Sequence, residues 1–587
     1  MRRAVALGVV LALALAATGR AQTPELGVNV NRVLWDAFDG GFWDLHLGAV
    51  RDSGIGLVRS DAFWEAVEPD PPSHGVHDYD WLVLDFHQSA MAQHDLRWQA
   101  IVDYSAEWAS TVPGEQHAPP ASVDDFADYA GALAARYGRG GDFWAAFPDL
   151  TELPVTTYEI WNEPNLAGFW QPAPDPDRYM ELYAAARAAI EAVDPDATVI
   201  VGGLVPGTDF AERLYASRPD ARELIDGIGY HPYAQTADGV LLEVRALRRQ
   251  LDALGAGAVP IHVTELGWHT NGSGAQLMGE DARAAALERA AGMLARSDCG
   301  LASIVPYTWT TPERDPADRE DWYGIRHPDG GATPTSDAYA RVVARPGGEP
   351  VPLCHGPDTD GDDVPDLLDS DDDADGAPDA ADAFPLDPAE RSDADADGTG
   401  DNADPDDDND GLPDAVELAR GTSPADADSD DDGVPDPADA FPLDRAERAD
   451  ADLDGAGDNG DPDDDNDALA DALELARGSS PLDRDSDDDG LADGIERRTS
   501  PTRADSDGDK LKDGLERGLT SGLPDGPGLV RGTKPSRFRP DTDPRTKTLA
   551  TKKDSDGDKL SDGREDRNRN GRRDRGETDP LKRTTPN

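Results

Sequence analysis

Between residues 26 and 345, short runs of β-branched and apolar residues alternate with longer segments in which apolar side chains return every three or four positions. These are the patterns of buried strands and of amphipathic helices. The strand candidates are 26–30, 55–60, 98–104, 158–162, 198–203, 227–230, 261–265 and 303–309. Helical periodicity is clearest over 123–137, 178–193, 240–254 and 283–296, segments usually entered through Asp, Ser or Pro. Eight strand–helix units of this length predict an α/β fold, the (β/α)8 TIM barrel. An open doubly wound sheet is the alternative, but it would need a Gly-rich phosphate loop after an early strand. The sequence has none there.

A barrel gathers its chemistry at the C-terminal ends of its strands. Read from the predicted strands, those ends carry Arg59, Tyr104, Asn162 with Glu163, His231 with Tyr233, Glu265 and Trp309. Two carboxylates at one mouth repel each other, so the fold gains nothing from keeping both. Glycosidic bonds, by contrast, are cut by such a pair: one carboxyl protonates the leaving oxygen while the other attacks the anomeric carbon or activates water.

The fourth strand reads Tyr158-Glu159-Ile160-Trp161-Asn162-Glu163-Pro164-Asn165 and the seventh Ile261-His262-Val263-Thr264-Glu265-Leu266-Gly267-Trp268. Together these segments resemble the clan A glycoside hydrolases. Val58-Arg59-Ser60-Asp61 followed by Trp64, and Tyr230-His231-Pro232-Tyr233, look most like family 39, with family 5 next. The resemblance implies a retaining O-glycosyl hydrolase with Glu163 as acid/base and Glu265 as nucleophile. Arg59 and Tyr233 would hold Glu265 as the anion, and Asn162 would meet the sugar 2-hydroxyl. His231 would orient the pair or touch the substrate, and Trp309 would offer a flat face to the sugar. No cofactor is implied for catalysis. Trp64, Trp108, Trp170 and Trp268 hint at stacking along a multi-sugar cleft, hence endo action on a polysaccharide.

Composition changes the picture beyond Pro357. All tryptophans and tyrosines lie before that point, aspartate dominates after it, and the formal net charge of the 587 residues is −66. Nucleic acid and anionic membranes are repelled by such a chain. The aspartates keep a register, falling on positions 1, 3, 5, 9 and 12 of frames that start at Asp358, Asp371, Asp393, Asp406, Asp428, Asp450, Asp463, Asp485, Asp505, Asp554 and Asp566. Alternating oxygen ligands, a turn glycine at position 6 and an acid at 12 are the requirements of a calcium loop.

The clearest expected Ca2+ ligand sets are Asp371, Asp373, Asp375, Asp379 and Asp382; Asp406, Asp408, Asp410, Asp414 and Glu417; Asp428, Asp430, Asp432, Asp436 and Asp439; and Asp485, Asp487, Asp489, Asp493 and Glu496. Asp363, Ala468, Lys510 and Lys559 replace the glycine and weaken the match. The tandem spacing looks like bacterial thrombospondin type 3 repeats, an extended region with little regular secondary structure. A disordered acidic tail is what composition without register would predict.

At the N-terminus, Arg2 and Arg3 precede an apolar run and a small-residue stretch ending at Ala21. That is the pattern of a secretory signal peptide, which predicts a secreted or extracellular protein with no membrane span after cleavage. Outside the cytoplasm Cys299 and Cys354 are expected to form a disulfide. The expected organisation is signal 1–21, barrel 22–347, linker 348–357, repeats 358–520, linker 521–553 and terminal calcium loops 554–587. The function expected of it is an exported glycosidase on a calcium-stiffened stalk, with polysaccharide and calcium as partners and a cell-surface or matrix contact through the repeats. The alternative is a calcium-binding adhesion protein whose barrel only binds carbohydrate.

Overall fold

The computed structural model describes residues 23–36 and 38–584; the predicted signal peptide falls outside them. The chain divides into two compact units after Asp372.

In the first unit eight parallel strands close into a barrel in sequence order. They are β1 (Glu25–Asn29), β2 (Leu57–Phe63), β3 (Arg97–Asp103), β4 (Thr157–Ile160), β5 (Thr198–Leu204), β6 (Gly227–Tyr230), β7 (Ile261–Val263) and β8 (Leu301–Ile304). Closure is made by β1 against β8, with Leu26 opposite Ile304. Several boundaries differ from the sequence reading: β2 starts later and runs on to Phe63, β4 stops at Ile160, and β8 starts at Leu301. β7 and β8 stop before Glu265 and Trp309, because Pro306 has no N–H to continue a ladder. The chain beyond β8 still bonds its neighbours irregularly: Tyr307 N–H donates to Leu266 and Trp309 N–H to Asn29.

The outer helices follow the apolar stripes. Val123–Tyr137 buries Phe126, Tyr129, Ala130, Leu133 and Tyr137, and its first turn is capped by Ser122, which accepts from Asp125 N–H. Asp175 and Thr236 cap Pro176–Val193 and Ala237–Ala253 in the same way. Such side-chain caps each stabilise by about 1 kcal/mol. Cys299 and Cys354 are joined in a disulfide with Cα atoms 5.2 Å apart. The unit continues past the expected boundary at residue 347. Arg245 donates to the Leu353 carbonyl at 2.8 Å and pairs with Asp358 at 2.9 Å.

The second unit is built from turns and bends, with a few one- or two-turn helices such as Asp414–Arg420 and Asp471–Arg477. Residues 521–553, expected as a linker, are instead packed. Val530 and Thr533 are buried, Thr533 donates to Asp485, and Lys534 N–H donates to Asp488 at 2.8 Å. The excess of Pro, Gly and basic residues that reads as a linker reflects a segment held by acidic loops rather than by an apolar core.

Candidate active site

At the C-terminal mouth of the barrel lies a cleft of about 450 Å³, lined among others by Asp61, Tyr104, Asn162, Glu163, Tyr233, Glu265, Tyr307 and Tyr323. Its floor is organised by one cation. Arg59, at the centre of β2, is fully buried and donates to Glu159 through Nε at 2.7 Å and Nη2 at 2.9 Å, to Glu265 through Nη1 at 2.7 Å, and to Asn162 at 3.0 Å. Tyr233 donates to the second oxygen of Glu265 at 2.8 Å. Burial, followed by the Glu265 charge, raises Tyr233 far above the usual phenol range, so it remains a donor. Glu265 thus has donors on both oxygens, the arrangement that stabilises a carboxylate anion.

Glu163 is held differently. His231 Nδ1 lies 2.9 Å from one of its oxygens and 3.7 Å from Glu265. Acceptor atoms of Glu163, His231 and Glu265 fall within 4.8 Å of one another. The chain reaches this geometry through local strain: Trp161 and Glu163, on either side of Asn162, have φ of 67° and 48°. Each non-glycine residue in the left-handed region costs on the order of 1 kcal/mol or more and persists where the surroundings demand it. The demand is visible in Asn165, whose side-chain amide bonds both the N–H and the carbonyl of Val205 and fixes the loop after β4 to that after β5.

Of the residues expected from the sequence, Arg59, Asn162, Glu163, His231, Tyr233 and Glu265 are brought together. Trp309 is not: its ring is 1% exposed and packs against the Arg326 guanidinium 5.4 Å away. Trp64, Trp170 and Trp268 are likewise core residues, and the aromatic walls of the cleft are Tyr104, Phe169, Tyr307 and Tyr323.

Glu159 is the principal residue the motif reading passes over. Burial alone would raise this carboxyl, but the Arg59 charge and its two hydrogen bonds outweigh that and hold it below its ordinary value. A carboxylate in the middle of the fully buried run Tyr158-Glu159-Ile160 is itself the signal, since a buried charge requires a partner.

In the acidic region, every frame adopts the same backbone. Position 4 and position 6 have positive φ in all eleven; position 6 spans Gly376, Gly411 and Gly490 at 95–98° as well as Asp363, Ala468, Lys510 and Lys559 at 77–89°. The non-glycine residues therefore pay strain without changing the loop. Position 12 supplies buried glutamates: Glu417, Glu474, Glu496, Glu516 and Glu565 are at most 2% exposed. Both carboxylate oxygens of Glu417 lack any donor. Glu474, Glu516 and Glu565 share the position of Glu417 and Glu496 and belong with them. Burial, then the Asp489 and Asp487 carboxylates, pushes Glu496 up to about 9. This donor set, all hard oxygens, fits a calcium ion, although Asp375 and Asp432, each at position 5, also pair with Arg391 and Arg448 at 2.6 and 2.8 Å.

No protein-family model matches the chain. Among solved structures, its likeness is to glycoside hydrolases. A family 39 glycoside hydrolase from Bacteroides cellulosilyticus WH2 is 20% identical, with 55% of this chain and 64% of that one covered and a TM-score of 0.43. GH5_18 from Streptomyces cattleya in complex with GlcNAc is 16% identical over 57% of this chain and 83% of that one, at a TM-score of 0.43. A curated relative is a beta-xylosidase of Geobacillus stearothermophilus, 30% identical over 90 residues. That stretch spans 15% of this chain and 18% of the relative.

Among the described residues, no helix is long and apolar enough to cross a membrane.

Proposed function

We propose that this protein is an exported, retaining glycoside hydrolase that cleaves O-glycosidic bonds of an extracellular polysaccharide. The observation that carries the reading is the carboxyl pair: Glu163 and Glu265 oxygens within 4.8 Å across one cleft. Retaining enzymes hold their carboxyls about 5–5.5 Å apart, inverting ones about 6.5–9.5 Å. In this reading Glu265 attacks the anomeric carbon while Glu163 protonates the departing oxygen. A covalent glycosyl intermediate forms, and Glu163 then takes a proton from the incoming water. Arg59 and Tyr233 bond the two oxygens of the nucleophile and aim it, and His231 orients Glu163. Asn162, fixed by Arg59, faces the sugar.

In this reading the enzyme acts in the endo mode, with the cleft of about 450 Å³ at the barrel mouth receiving the chain. For the second unit the reading is a stalk stabilised by structural calcium, supported by the uniform loop backbone and the glutamates buried among aspartates at position 12.

Glu265→Gln should abolish turnover of any accepted glycan, and Glu163→Gln should lower kcat about 10²–10⁴-fold. Proton NMR should show that the first-formed anomer keeps the substrate's configuration. An active Glu265→Gln variant, or an inverted first product, refutes the mechanism.

A further inference from the structure

A second carboxyl pair sits beside the first. Asp61, near the end of β2, lines the cleft, while Asp103, at the end of β3, lies behind it and is fully buried. No N–H or O–H reaches either oxygen of Asp103. The group it meets at hydrogen-bonding range is the carboxyl of Asp61. Two ionised carboxylates in that contact would have no donor between them, whereas one shared proton satisfies both.

The surrounding charges point the same way. Arg59 lies two residues earlier on the same strand, but directs its hydrogen bonds to Glu159, Glu265 and Asn162. Glu159 from β4 and Glu265 beyond β7 add like charge, while Asn31 beyond β1 contributes a neutral amide. From β3 and the helix behind it, Tyr104 and Tyr129 are held neutral, chiefly by burial and then by Asp103. One guanidinium thus faces four carboxyls, too few positive charges to keep all of them ionised.

We propose that Asp61 and Asp103 hold one proton between them, and that the cleft-facing side of Asp61 bonds a hydroxyl of the sugar, making Asp61 a specificity-determining contact. The sugar contact rests on the hydrolase reading above; the shared proton does not. A carboxyl that both donates and accepts suits a ring hydroxyl, which does the same. It disfavours an acidic substituent, which would meet Asp61 and the two glutamates with like charge. The substrate class is therefore a neutral glycan. Burial, opposed by Arg59, raises Asp61 from 3.8 to about 7. The folded form therefore prefers the proton, and its contribution to stability is lost as pH rises from 3.8 toward 7.

The test uses the full chain with calcium present and two readouts. Because every tryptophan precedes Arg345, tryptophan fluorescence during urea unfolding reports on the barrel alone. The parent should lose stability between pH 5 and pH 8, and Asp103→Asn, whose amide supplies a permanent donor, should lose markedly less. Superimposable pH dependences overturn the shared proton whether or not the barrel hydrolyses anything. On a neutral oligosaccharide that the parent cleaves and Glu265→Gln does not, Asp61→Ala should raise KM about 10-fold or more, a lost hydroxyl contact of 1.4 kcal/mol or more. Its effect on kcat should be smaller, Asp61→Asn should partly restore KM, and Asp103→Asn should shift the alkaline limb of kcat/KM upward. An unchanged KM in Asp61→Ala overturns the sugar contact.

Discussion

Arg59 is where the chemistry of the barrel and its stability meet. It is buried with two carboxylates and an amide, and each of its bonds fixes a group that the proposed reaction uses or leans on. Glu159 is not among the residues lining the cleft; its role is to neutralise and orient that guanidinium. Replacing it as Glu159→Gln leaves Arg59 with Glu265 as its remaining hydrogen-bonded counter-charge. Breaking a buried pair costs about 3–5 kcal/mol, so the urea midpoint of tryptophan fluorescence should fall by a corresponding amount. The pH dependence has a definite sign. Glu159 titrates below the ordinary 4.5 in the folded chain, so its contribution is present above 4.5 and is lost as the medium is acidified through the folded value. Glu159→Gln should therefore flatten the acid side of the barrel's stability curve and leave the alkaline side to Asp61 and Asp103. A variant with the parent's acid limb would remove Glu159 from this role.

At the scale of elements, β5 decides how closely the two halves of the site approach. Gly202 and Gly203 lie where β4 and β6 crowd it. A Cβ on Gly202 would lie 2.1 Å from the Trp161 carbonyl, and one on Gly203 would lie 2.0 Å from His231 Nε2. Gly203 N–H also donates to Glu159 at 2.9 Å. Gly203→Ala should push His231 away from Glu163. Misplacing a catalytic group by about 1 Å costs on the order of 100-fold in rate, against about 1–3 kcal/mol of stability for overpacking. The expected outcome is a barrel with near-normal near-UV circular dichroism and kcat/KM reduced about 100-fold; parental activity would show that His231 need not be held there. The same element explains what the sequence could and could not disclose. Alternating apolar runs sufficed for eight strands, and Asn162-Glu163-Pro164 with Glu265 sufficed for the carboxyl pair, because both signals are local. The Glu159–Arg59 pair, the Asp61–Asp103 contact and the burial of Trp309 arise from strands far apart in sequence, and become legible only when the barrel brings them side by side.

At the scale of the whole molecule, two kinds of cohesion operate in one chain. The barrel is held by a continuous apolar core and one disulfide, whereas the acidic unit has few buried apolar side chains and most of a net charge of −66. Its frames are linked in series. Asp467, Asp489 and Asp509, each at position 5, accept from the backbone N–H of Gly494, Gly514 and Gly563, each at position 10 of a later frame. Those glycines are tight: a Cβ would approach the carbonyl of the same aspartate to 2.0–2.4 Å. A cation that fixes one aspartate thereby fixes the docking point of another frame, so loss of calcium from one loop should loosen its neighbours. On the calcium reading, removing the ions leaves repulsion among closely spaced carboxylates to oppose compaction, with few buried apolar side chains to resist it. Addition of EDTA should increase the radius of gyration measured by small-angle scattering and alter far-ultraviolet circular dichroism, with both restored by excess Ca2+. The urea midpoint of tryptophan fluorescence, confined to the barrel, should stay where it was. An unchanged radius of gyration in EDTA would mean that the acidic unit holds its fold without calcium, and that the buried glutamates at position 12 are satisfied by protons instead.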